Sequence, residues 1–140
     1  MNWLGYALLS AGFAGLVAIF GKIGMRDVDS TLATMARAVI MALALTALVL
    51  MRRGVTENMR HISTRAWLFI LFAGLAGAAS WLCYFRALQL GQASQVAPID
   101  RLSVVITVAC AVLFLGEKLT AGTAAGVVLT VAGAILIVRG

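Results

Sequence analysis

A chain of 140 residues in which 63% are hydrophobic and 11% are charged is too apolar for a soluble domain, where about a quarter of the residues are charged. Its net charge of +6 is compatible with nucleic-acid binding. However, the basic residues lie at the ends of apolar runs, where membrane topology and lipid headgroups account for them better. The composition therefore predicts a protein embedded in a lipid bilayer, with no nucleic acid as a partner.

Five stretches have the length and polarity of transmembrane helices. A hydrocarbon core of about 30 Å needs about 20 helical residues, and runs this continuous are not the alternating strands of a barrel. The second run contains Arg37, and the fourth is long enough only if its helix starts near Ala97. The sequence therefore predicts an all-α, polytopic membrane bundle with helices near residues 3–22, 31–51, 66–87, 97–115 and 120–138.

The links between these helices are short, and one of them, residues 52–65, is sizeable and basic. Ser63 or Thr64 can cap the third helix, and Thr120 can cap the fifth. The basic link favours a cytoplasmic N-terminus. The excess of basic residues on that side is small, so insertion in both orientations stays open.

The only proline and several charged residues lie inside the predicted helices or at their ends. Intramembrane charges usually pair and face the protein interior or a watery cavity, which makes them candidates for substrate binding or gating. The alternative is that they snorkel to the lipid headgroups. These candidate residues are Arg37, Arg86, Pro98, Asp100 and Arg101.

The stretch "VAPIDRLSVV" reads as a helix start at the membrane interface. Pro98 is expected in the first helical turn, where its missing N–H has no partner anyway. Asp100 is expected in the same turn, where its charge favours the helix dipole. We also expect Asp100 to pair with Arg86 or Arg37 in preference to the adjacent Arg101.

Small residues recur along the last helix, where Gly122 and Gly126 form a GxxxG step and Gly133 lies two turns further on. Such steps let membrane helices approach closely. They serve either packing within the chain or dimerisation through this helix.

Reactive groups are sparse. Cys83 and Cys110 fall inside predicted helices, where buried, inert thiols are expected. No cluster of His, Cys and carboxylates has metal-ligand spacing, and there is no phosphate-binding glycine loop or nucleophile motif. The sequence therefore predicts no enzyme activity, no metal and no cofactor.

The last third of the chain resembles a known family. "YFRALQLGQASQVAPIDRLSVV" leads into an apolar run, the turn "GEKLT" and a glycine-rich helix, a pattern that resembles the EamA domain of the drug/metabolite transporter superfamily. "GFAGLVAIFGKIG" and "TLATMARAVIMA" near the start are similar to it as well. The positions that carry the resemblance are Tyr84, Ala87, Leu88, Pro98, Gly116, Glu117, Leu119, Thr120, Gly126 and Gly133.

The resemblance implies a single EamA-like transmembrane domain over residues 1–140, one half of the ten-helix fold usual in that superfamily. It is similar to the short five-helix bacterial and archaeal members. It implies a carrier for small metabolites or drugs in the inner (plasma) membrane of a prokaryote. No catalytic residues can be transferred from it.

Five helices enclose little space, and many carriers build a midplane site from two inverted halves. We therefore expect a transporter that works as an antiparallel homodimer, or with an oppositely oriented paralogue, and binds a small molecule at a central site. The alternative is a different functional class, a non-transporting membrane subunit or assembly factor.

Overall fold

The computed structural model describes residues 2–52 and 62–140. Every regular element in these residues is a helix, and five helical segments are long and apolar enough to cross a membrane. The predicted all-α fold with five spans is therefore confirmed. The helices are α1 (Trp3–Gly24), α2 (Ser30–Met51), α3 (Thr64–Leu90), α4 (Ala93–Asp100), α5 (Ser103–Leu115) and α6 (Ala121–Arg139).

Side-chain caps define where three helices begin. Asp29 accepts hydrogen bonds from the backbone N–H groups of Thr31 and Leu32 at the start of α2. The hydroxyl of Ser63 accepts from Ala66 N–H at the start of α3, and the hydroxyl of Thr120 accepts from Thr123 N–H at the start of α6. Each cap satisfies backbone donors that have no partner within the helix. The caps expected at Ser63 and Thr120 are confirmed.

The fourth span corrects the sequence prediction. It begins at Ala93 rather than near Ala97, and it consists of α4 and α5, which together cover Ala93–Leu115. Pro98 therefore lies inside α4, not in its first turn, and Asp100 is the last residue of α4. The expectation of a favourable N-terminal dipole at Asp100 was wrong, because that carboxylate stands at a helix C-terminus.

The interruption between α4 and α5 keeps its backbone hydrogen-bonded. Leu102 N–H donates to the carbonyl of Ile99 at 2.9 Å, and Val104 N–H donates to that of Arg101 at 3.0 Å. These bonds have the three-residue spacing of a 3₁₀ turn, which is tighter than an α-helix. Because Pro98 has no N–H, the preceding turn also lacks one α-helical bond. The fourth span therefore lacks α-helical hydrogen bonds over consecutive turns. The 3₁₀ bonds still give partners to the backbone polar groups there, which a helix in lipid needs.

The "GEKLT" turn between α5 and α6 depends on Gly116. This residue has φ of 68°, a left-handed conformation that a glycine adopts without steric cost. The backbone N–H groups of Gly116 and Glu117 both donate to the carbonyl of Ala111. The turn therefore closes α5 before Thr120 caps α6.

The chain divides into two compact units, residues 21–89 in one and residues 1–20 with 90–140 in the other. In the first unit Met25, Phe85 and Leu88 are buried, together with Ser30 and Thr34. The hydroxyl of Thr34 donates to the carbonyl of Ser30, so this buried hydroxyl is satisfied. In the second unit α4 packs against α6, and Ala18 and Ala134 are buried.

Most large apolar side chains are exposed along the spans, as suits helices whose solvent is lipid. Cys83 and Cys110 carry free thiols but are exposed, so the expectation of burial was wrong for both. The thiols lie on outer helix faces that packing does not fill. Most of the predicted polar link 52–65 falls on residues 53–61, outside the described residues.

Candidate functional site

The intramembrane arginine of α2 lies on an aromatic cluster of α3. The guanidinium carbon of Arg37 is 3.4 Å from the centroid of the Trp81 ring and 5.4 Å from that of Phe85. Trp81 and Phe85 are four residues apart on a helix and so share a face, with their ring centroids 5.6 Å apart. Tyr84 meets the Trp81 ring edge to face at 5.5 Å. These distances correspond to cation–π and aromatic contacts.

A groove of about 550 Å³ runs beside this cluster between α2 and α3. Its walls are mostly small or apolar. Gly74 and Gly77 have no atom within 4 Å of the position a β-carbon would take, so they leave the groove wide. We define the α2–α3 groove by six of its lining residues: Thr34, Arg37, Met41, Gly74, Gly77 and Trp81.

Arg37 has no other partner in the part of the chain that the structure describes. No hydrogen bond or ion pair joins it to another described residue. Its side chain is half-buried, and its contacts are with rings. A cation in a span is costly unless it meets an anion or water. The α2–α3 groove therefore offers a positive charge for which the described residues of this unit supply no ion-pair partner.

A polar network lies at the same end of this unit but does not line the groove. Arg86 donates from Nη1 to Oε1 of Gln89 at 2.7 Å, and Nε2 of Gln89 donates to the carbonyl of Val28 at 3.2 Å. Nζ of Lys22 donates to the carbonyl of Leu88, a favourable place for a cation near a helix C-terminus. These bonds join α1 and the link before α2 to the end of α3. Arg86 takes part through Gln89, and its role in substrate binding or gating stays a prediction.

Asp29, the cap of α2, interacts electrostatically with Arg86 of this network. The pKa of its carboxyl group is lowered, first by the hydrogen bond from Leu32 N–H, then by that from Thr31 N–H, with a further contribution from the positive charge of Arg86. Hydrogen bonds to the charged form favour ionisation. Asp29 is therefore a carboxylate at neutral pH, and its negative charge is committed to the helix start.

The second unit contains a groove of about 480 Å³ lined by residues of α1, α4 and α6. Pro98 and Arg101 lie on it, next to the interruption of the fourth span, and Gly133 lines it from α6. Asp100 is exposed and is not among its described lining residues. The structure thus brings Pro98, Arg101 and Gly133 together. The pairing of Asp100 with Arg86 or Arg37 stays a prediction.

The GxxxG step of α6 faces open space. A β-carbon at Gly126 would have no atom within 4 Å, and one at Gly122 would meet only the hydroxyl oxygen of Thr120, at 3.8 Å. Close packing within the described chain therefore does not explain either glycine.

Sequence reasoning missed Trp81 and Gly77. The signal was available, because Trp81 and Phe85 are spaced i, i+4 on a span and Gly77 lies one turn earlier on the same face. What the sequence lacked was the contact of that face with Arg37. Among the described residues no group of three His, Cys, Asp or Glu side chains could hold a metal ion.

Comparison with known proteins identifies a matching family and a similar bacterial protein. The family model described as the EamA-like transporter family matches residues 1–139. A protein from a Sinorhizobium species, described as an uncharacterized transporter in the cobO 3' region, is 46% identical over 136 residues. The match covers 97% of this chain and 96% of that relative. No solved structure matches the chain significantly.

Proposed function

Because the chain belongs to the EamA-like transporter family, we propose that it carries small metabolites or drugs across the inner membrane of a prokaryote. In this proposal it acts as a dimer whose central substrate site includes the α2–α3 groove of each half, and it is a carrier, not an enzyme. The bacterial relative is consistent with this location. The observation that carries the proposal is the unbalanced charge of Arg37 in the α2–α3 groove.

The position of Arg37 along α2 strengthens the case for a functional role. Arg37 is the eighth residue of α2, which places its Cα about 10 Å along the helix from Ser30 at a rise of about 1.5 Å per residue. An arginine at the centre of a span costs about 2.5–3.5 kcal/mol on insertion scales, and the cost is smaller at Arg37, which lies about a third of the way along the 22 residues of α2. Stacking on Trp81 offsets about 0.5–2 kcal/mol. Because the guanidinium has no described hydrogen-bond partner, we assign it to substrate binding.

The interruption of the fourth span favours a role for this span in the conformational change of transport. Carriers commonly use discontinuous helices near their binding sites, and here α4 and α5 meet at a 3₁₀ turn three residues after Pro98. Arg101 stands at this turn and lines the groove of its unit. We assign gating to Pro98 and Arg101, with the turn as the hinge.

A dimer would supply what one chain lacks. The described residues contain five spans, half of what the ten-helix carriers of this superfamily use. The open faces of Gly122 and Gly126 would let a second copy approach α6. The weak asymmetry of basic residues permits the two copies to insert in opposite orientations. An oppositely oriented paralogue would satisfy the same geometry.

Solute counterflow into proteoliposomes tests this function. Purified protein is reconstituted into vesicles preloaded with one solute from a panel of neutral, cationic, zwitterionic and anionic small molecules, and entry of the labelled solute is followed. We expect at least one solute to accumulate transiently above the level in protein-free vesicles. If no solute in a broad panel moves faster than in protein-free vesicles, the chain is a non-transporting subunit instead.

A further inference from the structure

The α2–α3 groove combines one cation with walls that carry no counter-charge. Arg37 is the charged residue among the described residues that line it, and no described lining residue has a carboxylate. The polar lining residues are Thr31 and Thr34, and the Thr34 hydroxyl is already committed to the carbonyl of Ser30. Whatever fills this groove therefore meets one positive charge and otherwise mainly apolar surface.

Stacking leaves the hydrogen-bonding edge of Arg37 available. The guanidinium carbon lies 3.4 Å from the Trp81 ring centroid, so the ring occupies one face of the planar group. The N–H donors of a guanidinium point outward in its plane, and none of them reaches a described acceptor. A carboxylate can accept two parallel N–H bonds from that edge.

We propose that the α2–α3 groove binds a small, water-soluble organic monocarboxylate with an apolar body, and that such acids are the substrate class of the carrier. This inference rests on the proposed transport function and narrows it. The carboxylate lies at the edge of Arg37, and the body lies along the wall of Gly74 and Gly77, where the backbone leaves open space.

Charge balance favours monocarboxylates over zwitterionic amino acids and phosphate esters. One carboxylate neutralises Arg37 and leaves the groove uncharged. A zwitterionic amino acid would bring an ammonium group for which the described lining offers no carboxylate. A phosphate ester with two negative charges would leave a net negative charge among apolar walls. An unpaired charge is costly in such surroundings, so both should bind more weakly than a monocarboxylate.

Binding can be read from Trp81 itself. Trp3→Phe and Trp67→Phe leave Trp81 as the sole tryptophan, and both replaced side chains lie far from burial, at 80% and 46% exposure. This protein is placed in nanodiscs of zwitterionic phosphatidylcholine and titrated at pH 7 with 3-phenylpropionate, 3-phenylpropionamide, phenylalanine and phenyl phosphate. We expect a saturable change in Trp81 fluorescence with 3-phenylpropionate, at an affinity at least about tenfold above that of the other three.

Matched variants separate the charge from the shape of the groove. Arg37→Gln should remove the preference for the acid over the amide, whereas Arg65→Gln should keep it. Arg65 is a suitable control because its guanidinium also lies near a ring, 5.9 Å from Phe69, but outside the described groove lining. Gly77→Leu should weaken acid and amide alike by filling the groove. Gly12→Leu, at another open glycine, should change neither.

Four results would overturn the inference. The first is equal affinity for 3-phenylpropionate and its amide, and the second is an unchanged preference in Arg37→Gln. The third is binding of oleate without binding of 3-phenylpropionate, which would assign the groove to a bilayer lipid. The fourth is conversion of a dimer to a monomer by Arg37→Gln with no acid binding in the parent protein, which would assign Arg37 to a carboxylate of a second copy.

Counterflow distinguishes a failure of the proposed substrate class from a failure of the proposed transport function. Flux of neutral or cationic solutes without any binding of 3-phenylpropionate would overturn the substrate class and leave transport standing. Acid binding that Arg37→Gln abolishes, with no flux of any solute, would support the binding site and contradict transport.

Discussion

The contact between Gly21 and Phe85 makes a sharp prediction about packing in the residue 21–89 unit. A β-carbon at Gly21 would lie 2.8 Å from Cε1 of Phe85, so the ring must move by about 0.6 Å to reach ordinary van der Waals distance. Phe85 is only 2% exposed and packs against Trp81. The ring therefore has little room to move, and overpacking of this kind costs about 1–3 kcal/mol.

Gly12→Ala is the matched control for Gly21→Ala, since both residues lie inside α1 and Gly12 has nothing within 4 Å. Both changes gain about 1 kcal/mol of helix propensity, which cancels in the comparison. Gly21→Ala should therefore be less stable than Gly12→Ala by about 1–3 kcal/mol. Unfolding by SDS in mixed micelles, followed by circular dichroism, measures the difference. Equal stability of the two variants would refute the contact.

Three further predictions concern other parts of the chain. Pro98→Ala should slow amide hydrogen exchange around the interruption of the fourth span, because it restores an N–H inside α4; unchanged exchange would argue against Pro98 as a cause of the weak turn. Asp29→Ala should destabilise the protein at neutral pH by removing the cap of α2. The folded-state pKa of Asp29 is lowered below 3.8, so its contribution is fully present above the unfolded-state pKa and is lost as pH falls through the folded-state value. The stability difference from wild type should therefore shrink below about pH 3.8 in SDS titrations, and a difference that persisted at lower pH would contradict the assignment. Gly126→Leu should lower the dimer fraction in single-molecule photobleaching while Gly12→Leu does not; the same dimer fraction in both would leave α6 without a role in assembly.

The sequence predicted the number and positions of the spans because membrane thickness and continuous apolar runs constrain them strongly. It misplaced the start of the fourth span. The segment from Ala93 to Ala97 contains Ser94 and Gln95, whose polarity resembles a link, whereas in the structure these residues form the first turns of α4. The length and hydropathy of an apolar run do not show that its helix extends into the polar residues beside it.

Among the candidate site residues, Arg37 could be recognised from polarity alone, because a charge inside an apolar run is unusual. Its partner Trp81 could not be assigned in the same way. The i, i+4 spacing of Trp81 and Phe85 indicates a shared face of α3, but only the structure shows that Arg37 of α2 lies against that face. Arg86 illustrates the opposite case. Its sequence position equally favours a substrate role, which stays a prediction, and the sequence did not indicate its hydrogen bond to Gln89 near the end of α3.

The central claim, that one chain supplies half of a carrier, is tested most directly by counting subunits and measuring flux in the same vesicle. Chains labelled with one fluorophore each are reconstituted at low density. Solute entry is recorded for every vesicle, and photobleaching steps then give its number of chains. Vesicles with one chain should not transport, whereas vesicles with two chains should. Flux in vesicles with a single chain would contradict it.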